Sequence, residues 1–253
     1  MKPNFSVKKA RRAQRALSKK IMKQDRLPKH LRLIAGVDVA YTEYKAIGAI
    51  AVLDYESMKV VETQTSVNPV QAPYIPTLLA FREAQPAIRT IRKLHLKPDI
   101  FLVDAHGLAH PYRCGFASHL GLIIQKPTIG VAKSRLCGQP EPAQEGHDVI
   151  PLKDGEEVIG AVVTTKNGSK PIYVSIGHMI SLQTAVAVVK HCTQNSRIPE
   201  PILQAHLLAA QEKRKINNPS RSTEKHEADP YARPKTENPR RQNPRPWAPQ
   251  ESH

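Results

Sequence analysis

Residues 33–41 read LIAGVDVAY, an apolar run rich in β-branched side chains with a single acid, Asp38, at its centre. Two more runs follow at 46–54 (AIGAIAVLD) and 59–65 (KVVETQT), with turn-like residues at 55–57 between them. Short β-branched runs bounded by turn residues are typical of strands. The stretch therefore predicts an antiparallel three-stranded meander that carries a carboxylate on its first strand.

Downstream of the meander, patterns typical of strands alternate with patterns typical of helices. The predicted helices cover 75–83, 86–96, 115–124, 181–192 and 199–210, and the predicted strands cover 99–104, 127–132, 158–165 and 171–175. Paired strands followed by strand–helix alternation indicate a mixed sheet with helices on its faces. We therefore expect an α/β fold, with residues 33–210 forming one catalytic domain.

Most of the positive charge lies before this domain. The chain carries a net charge of +16, and residues 1–32 hold +11 of it with only one acid. Residues 8–21 contain no Pro or Gly and predict a basic helix, with Leu17, Ile21 and Met22 as its apolar stripe. A merely solvated basic face is the alternative. The charge bias favours a nucleic-acid partner, because each neutralised phosphate releases condensed counterions.

Residues 211–253 form a proline-rich basic tail with few aliphatic side chains, and we expect it to be disordered. Three cysteines are too few for a secreted disulfide scaffold. The sequence also contains no apolar run typical of a secretory signal or of a membrane-spanning helix. We therefore expect a cytoplasmic, monomeric protein without membrane contact.

Two aspartates lie in or directly after otherwise apolar strands. Asp38 lies within the first predicted strand, and Asp104 ends the run DIFLVD at 99–104. A carboxylate placed there loses hydration and needs a cation as a partner. One option is an arginine or a helix terminus. The other is a divalent metal such as Mg²⁺, which prefers carboxylate and water oxygens. Two such acids beside a basic arm suggest a metal-dependent nuclease.

Several histidines and one cysteine raise further options. His106, His110, Cys114 and His119 have spacings that invite a zinc site, but Gly and Pro interrupt the helix that would align them. His178, in GHMIS, is expected at an exposed strand-to-helix junction. There it would act as a general acid or base, orient a water or contact a phosphate. A structural role for His178 is the alternative.

Seven segments, in order, resemble the endonuclease V family over residues 33–210. They are IAGVDVAY (34–41), PYIPTLLAFRE (73–83), PDIFLVDAHGLAHP (98–111), ASHLG (117–121), PTIGVAKSRL (127–136), GHMISLQTA (177–185) and RIPEP (197–201). The resemblance implies a ribonuclease H-like fold. It also implies a DNA-repair endonuclease that cuts the second phosphodiester bond 3′ to deaminated purine, chiefly inosine, and leaves the lesion in the nicked strand.

The resemblance also implies roles for individual residues of the catalytic centre. Asp38, Asp104 and Glu83 match the family's metal-binding acids, with Mg²⁺ as the expected ion and Mn²⁺ as the alternative. His178 matches its catalytic histidine, and Lys133 matches a lysine near the scissile phosphate.

For the nucleic acid, Tyr74 matches a tyrosine wedged into the duplex beside the lesion. Its neighbours Pro73, Ile75 and Pro76 complete that contact. Aromatic and proline wedges of this kind help proteins to unstack and bend DNA. The expected partner is inosine-containing DNA, with RNA left open.

Two residues depart from the family pattern. Ala105 stands where the family usually has a glycine after the aspartate, and Thr77 stands where it has one after the YIP segment. Neither change removes a metal ligand, so we expect activity. Two other functions stay open: a structure-selective nuclease of the same fold, and a non-catalytic nucleic-acid-binding module.

Overall fold

A computed structural model describes residues 5–142, 147–166 and 168–218 of the 253-residue chain. The predicted tail lies almost wholly outside these residues. The elements, in chain order, are α1 (Val7–Ser18), β1 (Leu33–Tyr41), β2 (Lys45–Asp54), β3 (Val60–Pro69), α2 (Leu79–Ile91), β4 (Ile100–Val103), α3 (Phe116–Ile124), β5 (Thr128–Ala132), β6 (Gln139–Pro140), β7 (Val149–Asp154), β8 (Glu157–Val163), β9 (Ile172–His178), α4 (Leu182–His191) and α5 (Glu200–Asn217).

The predicted meander is present. Strands β1 and β2 pair antiparallel with Leu33 opposite Asp54, and β2 pairs antiparallel with β3. Almost every residue of β2 is buried, because helices cover both faces of the sheet at this strand. This burial explains why 46–54 reads as a continuous apolar run rather than as an alternating one.

The sheet continues beyond β1 through parallel strands and then returns to antiparallel pairing. Its order is β3-β2-β1-β4-β5-β9-β8-β7-β6. Strands β1, β4 and β5 run parallel, and β9 pairs antiparallel with β5. The carboxyl ends of β1, β4 and β5 therefore lie at one edge of the sheet, as they do in open sheets that bind ligands there.

Helices cover both faces of the sheet. Helices α4 and α5 contribute Val188, Val189 and Ile202 to one buried cluster, and α2 and α3 contribute residues such as Ala84 and Leu120 to the other. Each face thus has its own core, and the mixed sheet with flanking helices follows the sequence-based prediction. No helix within the described residues has the length and apolar character needed to cross a membrane.

Some elements differ from the prediction by more than their end residues. The two helices expected at 75–83 and 86–96 are one helix, α2, which contains Pro86. Helix α5 continues to Asn217, so the boundary predicted after residue 210 falls inside it. Strands β6 and β7 were not predicted, because their short, mixed-polarity segments lack a clear alternation of apolar and polar residues.

Packing explains why α2 continues through Pro86. Proline normally breaks a helix interior because it lacks an N–H donor. Here the carbonyl of Pro86 accepts hydrogen bonds from the hydroxyls of Ser66 and Thr90, at 3.1 and 2.8 Å. A Cβ atom at Gly48 of β2 would lie 2.5 Å from the same carbonyl oxygen. The close approach of α2 to the sheet fixes this turn against the local preference.

Candidate active site and nucleic-acid pocket

Parallel pairing of β1 with β4 brings Asp38 and Asp104 together. Val37 lies opposite Val103, so each aspartate directly follows one member of this pair. The backbone N–H of Asp104 also donates to the carbonyl of Val37 at 3.0 Å. The two carboxylate side chains retain only 14% and 13% of their exposure. Register alone therefore places two mostly buried carboxylates side by side.

Helix α5 adds a histidine that the sequence analysis missed. His206 Nδ1 lies 2.9 Å from Oδ2 of Asp38. The helix can approach β1 because residue 36 is glycine: a Cβ there would lie 1.8 Å from the carbonyl oxygen of Pro201. Asp38, Asp104 and His206 each offer a potential ligand atom, and these three atoms lie within 4.8 Å of one another. We call these three residues the acidic cluster.

Glu83 lies close to these groups from α2 but outside the set of three. Its side chain is buried, and burial, followed by the charges of Asp38 and Asp104, raises the pKa of Glu83 well above its usual value. The pKa of Asp104 is also raised, first by burial and then by Asp38. Crowded carboxylates of this kind favour a bound cation, which would restore the charged forms. The donor set thus fits a divalent metal.

Lys133, directly after β5, lies beside the acidic cluster. Its Nζ donates to Oδ2 of Asp104, and this contact works against the rise in the pKa of that carboxyl. Both side chains also line the cavity described next. The acidic cluster and the cavity therefore meet at this lysine–aspartate pair.

A cavity of about 330 Å³ opens beside the acids. This volume lies within the roughly 300–1,000 Å³ range of small-molecule sites. Tyr74, Ile75 and Pro76 form one wall, and the tyrosine side chain is 67% exposed. We call residues 73–77 the wedge loop. Pro73 is exposed in the same loop but does not line the cavity.

The two residues that depart from the family pattern, Ala105 and Thr77, differ in backbone strain. Ala105 lines the cavity without a positive φ, so its methyl group fits the backbone without strain. Thr77 has φ of 70°, a conformation that glycine adopts readily and β-branched residues rarely do. Gly107 is required where it stands, because a Cβ would lie 2.1 Å from the carbonyl oxygen of Ile176.

His178 does not join the acids. It does lie at the predicted strand-to-helix junction, between β9 and α4, but the prediction that it is exposed is wrong. It is the last residue of β9, lies opposite Thr128 at the start of β5 and is 1% exposed. Its Nδ1 accepts a hydrogen bond from the backbone N–H of Met22 at 3.2 Å. Asp104 follows the carboxyl end of β4, whereas His178 lies at the amino end of the parallel neighbour β5. Because β9 runs antiparallel to β5, this histidine lies away from the acids, and it binds the N-terminal segment to the sheet.

The residues considered for zinc are spread among separate contacts. His106 Nε2 contacts the carbonyl of Ser134, and His110 Nε2 contacts that of Thr77. Cys114 is fully buried, and His119 packs edge-on against Phe81. Among the described residues, the potential ligand atoms that lie close together belong to the acidic cluster instead.

Helix α1 forms part of the cavity wall through a polar residue. It begins after Ser6, whose hydroxyl accepts from the N–H of Lys9, and its buried residues are Ala10 and Gln14. Of the predicted apolar stripe, Leu17 is partly buried, while Ile21 and Met22 lie beyond the end of the helix, where Ile21 packs partly buried against the core. Gln14 lines the cavity. The exposed Arg15 guanidinium lies 5.2 Å from the ring centroid of Tyr112. The arm is therefore docked on the site and presents cations outward.

Comparison with known proteins identifies close similarity to one family. A sequence model of Endonuclease V matches residues 15–207. An Endonuclease V from Thermofilum pendens is 46% identical over 207 residues, which cover 81% of this chain and 88% of that protein.

Solved structures agree in fold. Endonuclease V of Bacillus subtilis superposes with a TM-score of 0.80 at 28% identity, covering 87% of this chain and 97% of that one. Endonuclease V of Ciona intestinalis, in complex with a 24-mer DNA containing an inosine followed by a ribo-adenosine, gives 0.76 at 34% identity, with 83% and 98% covered. The predicted ribonuclease H-like fold is confirmed.

Proposed function

This chain belongs to the endonuclease V family, and we propose that it cuts DNA at the second phosphodiester bond 3′ to inosine, leaving the lesion base in place. As a family member it is a nuclease that hydrolyses phosphodiester bonds. The observation that carries the proposal is that Asp104 belongs to the acidic cluster and also lines the cavity, so the candidate metal ligands lie directly beside a space large enough for a small ligand.

The acidic cluster would hold the divalent cation on which the family depends. Asp38, Asp104 and His206 would be its ligands, with Glu83 beside them, and Mg²⁺ is the expected ion with Mn²⁺ as the alternative. When bound, the ion supplies Lewis-acid stabilisation of the charge that develops on the reacting phosphate.

The protein groups around this site supply the remaining electrostatics. Lys133 Nζ lies on the cavity side of Asp104 and adds positive charge where the phosphate develops negative charge. Glu83 holds its proton to higher pH than an ordinary glutamic acid, so its charge depends on the cation beside it. His206 is half exposed, which lets its ring meet solvent or substrate while Asp38 orients it.

The wedge loop and the cavity would read the lesion. Tyr74 projects from a loop stiffened by prolines on either side, as expected of a side chain that enters a base stack. A base taken out of the duplex needs a pocket to receive it, and deaminated bases cost less to unpair. The cavity between the wedge loop and Asp104 would receive the base close to the cleavage chemistry.

The cations of helix α1 would hold the flanking strand. Lys8, Lys9, Arg11 and Arg12 are exposed on a helix that also walls the cavity, so phosphates near the lesion come within their reach. Contacts of this kind position the nucleic acid without reading its sequence.

The Ciona protein was crystallised with DNA in which a ribo-adenosine follows the inosine. RNA therefore stays an alternative substrate for this chain. A structure-selective nuclease of the same fold is the second candidate function, since Thr77 alters the loop that would sense the lesion.

The test is a cleavage assay on matched DNA and RNA oligonucleotides, with and without one inosine, in the presence of Mg²⁺. The expected product is a nick one nucleotide past the inosine, made by the wild type and absent in Asp38→Ala. Asp148→Ala is the matched control, because Asp148 is exposed and pairs with Lys190 away from the cluster. Equal cutting with and without inosine would favour structure-selective cleavage, and binding without cutting would favour the non-catalytic module.

A further inference from the structure

A side-chain amide from helix α1 reaches under the wedge loop. Gln14 is fully buried, and its Nε2 donates to two carbonyl oxygens, that of Thr77 at 2.8 Å and that of Cys114 at 3.1 Å. These partners lie 63 and 100 residues away in the chain. One amide therefore ties the N-terminal arm, the wedge loop and the segment before α3 together.

A second side chain binds the same carbonyl. His110 Nε2 lies 2.9 Å from the oxygen of Thr77, and its Nδ1 accepts from the backbone N–H of Tyr112 at 3.1 Å. Because Nδ1 is the acceptor, the proton of the neutral ring lies on Nε2 and points at Thr77. Burial lowers the pKa of His110 to about 4, so the ring is neutral at physiological pH.

The residue held in this way is strained. Thr77 has φ of 70°, and a β-branched residue there is a true outlier. Strained backbone persists where the surrounding structure over-determines it, often at ligand sites. Two buried donors converging on one carbonyl are such a restraint. In their absence, the loop would relax toward more common φ values and the cavity wall formed by Ile75 and Pro76 would move.

We propose that Gln14, together with His110, is a positioning residue that holds the wedge loop in its strained, cavity-forming shape and thereby sets selectivity for the lesion. The inference rests on the proposed function, because it assigns selectivity to the cavity beside the acids. It also makes helix α1 a part of the recognition site and not only a source of charge. A preorganised wall raises selectivity because the substrate does not have to order the loop on binding.

The test compares Gln14→Met, Thr77→Gly and the double variant with the wild type. Methionine keeps the volume of glutamine but removes the donor, and glycine adopts the positive φ without restraint. The readout is the ratio of single-turnover cleavage rates on inosine-containing and plain DNA, with the melting temperature measured in parallel. Gln125→Met is the matched control: Gln125 also has a positive φ, its Nε2 donates to the carbonyl of Leu122, and neither residue lines the cavity.

We expect Gln14→Met to lower the ratio about tenfold, the factor that corresponds to one hydrogen bond of ordinary net strength. The loss should be much smaller when Thr77 is already glycine, because there is less strain to restrain. Gln125→Met should leave the ratio unchanged. A lower melting temperature with an unchanged ratio, or an equal loss in both backgrounds, would overturn the proposal.

Failure of the proposed function gives a different result. If the wild type cuts both substrates equally, inosine selectivity is absent and the ratio has no meaning. The restraint of Thr77 by Gln14 is then tested by the melting temperatures alone. Non-additive shifts for Gln14→Met and Thr77→Gly would support it, and additive shifts would overturn it.

Discussion

The acidic cluster and the wedge loop lie on either side of one cavity, yet they are built by different means. Asp38 and Asp104 are placed by the backbone register of two buried parallel strands. The wedge loop is held at Thr77 by side chains that come from residues 14 and 110. Under the proposed function, cleavage would therefore depend on side chains placed by the sheet, and recognition of the lesion would depend on a loop held at Thr77 by a few hydrogen bonds. The difference predicts that changes to the cluster abolish activity, whereas changes to the loop alter selectivity.

The largest effect is expected at the cluster itself. Asp104→Asn keeps the shape of the side chain but removes a charge that faces Lys133 and would face the proposed cation. Single-turnover cleavage should fall by at least about a thousandfold, since metal and charge contacts supply several kcal/mol to the transition state. Binding of inosine-containing DNA, measured by anisotropy, should persist. Near-normal cleavage would contradict the assignment of Asp104.

The next largest effect is expected at His206, with His178 as the histidine to which it is compared. His206→Ala should lower cleavage about a hundredfold with little change in melting temperature, because the ring is half exposed beside Asp38. His178→Ala should instead lower the melting temperature, since it removes a buried ring and its contact with Met22. Measuring both properties in both variants separates the roles. The opposite pattern would restore His178 as the catalytic histidine.

A smaller effect is expected at the exposed end of the wedge loop. Tyr74→Ala should lower the preference for inosine-containing over plain DNA by about tenfold, roughly the value of one base-stacking contact. Stability should hold, because the side chain is 67% exposed. Tyr44→Ala, at another highly exposed tyrosine, is a suitable control. If Tyr74→Ala slows both substrates equally, the tyrosine does not read the lesion.

The basic arm should change salt dependence rather than selectivity. Replacing Lys8, Lys9 and Arg12 together by glutamine removes three exposed cations but leaves Gln14 in place. If all three contact phosphates, the slope of log binding constant against log salt should become shallower by about 0.9 for each. An unchanged slope would show that the outer face of α1 does not touch the strand.

The smallest effect lies outside both regions and serves as a reference for acid stability. Burial favours the neutral form of Glu62, but the backbone N–H groups of His95 and Leu96 outweigh it and lower the pKa of Glu62 to about 2. The folded state thus binds its proton less tightly than the unfolded chain does. The resulting stability, on the order of 1 kcal/mol, is present above about pH 4.5 and is lost as the pH falls toward 2. Glu62→Gln should remove this dependence in acid melting curves.

Sequence patterns located most of the sheet. Strand β1 has the predicted bounds, and β4, β5 and α3 differ from prediction only at their ends. Their apolar runs are long and continuous, and burial on both faces is what such runs require. The pattern failed at Pro86, where packing against Gly48 outweighs the local preference of proline for a helix start.

The structure brings Asp38, Asp104, Glu83 and Lys133 close together. The two aspartates could be picked out from the sequence pattern as acids in or directly after apolar strands, whereas Glu83 and Lys133 were assigned only through the family resemblance. His206 was missed because it lies in an ordinary amphipathic helix with no motif around it. Only the glycine at position 36, which admits α5 against β1, hinted at the close approach.

The sequence by itself determined most of the strands and helices, the charged arm and the family to which the chain belongs, because these depend on residue types and their spacing. Tertiary structure alone decided which histidine meets the acids and how Thr77 is restrained. Antiparallel pairing of β9 removes His178 from the site, and docking of α5 supplies His206 instead. Both outcomes depend on contacts between residues far apart in the chain, which no local pattern encodes.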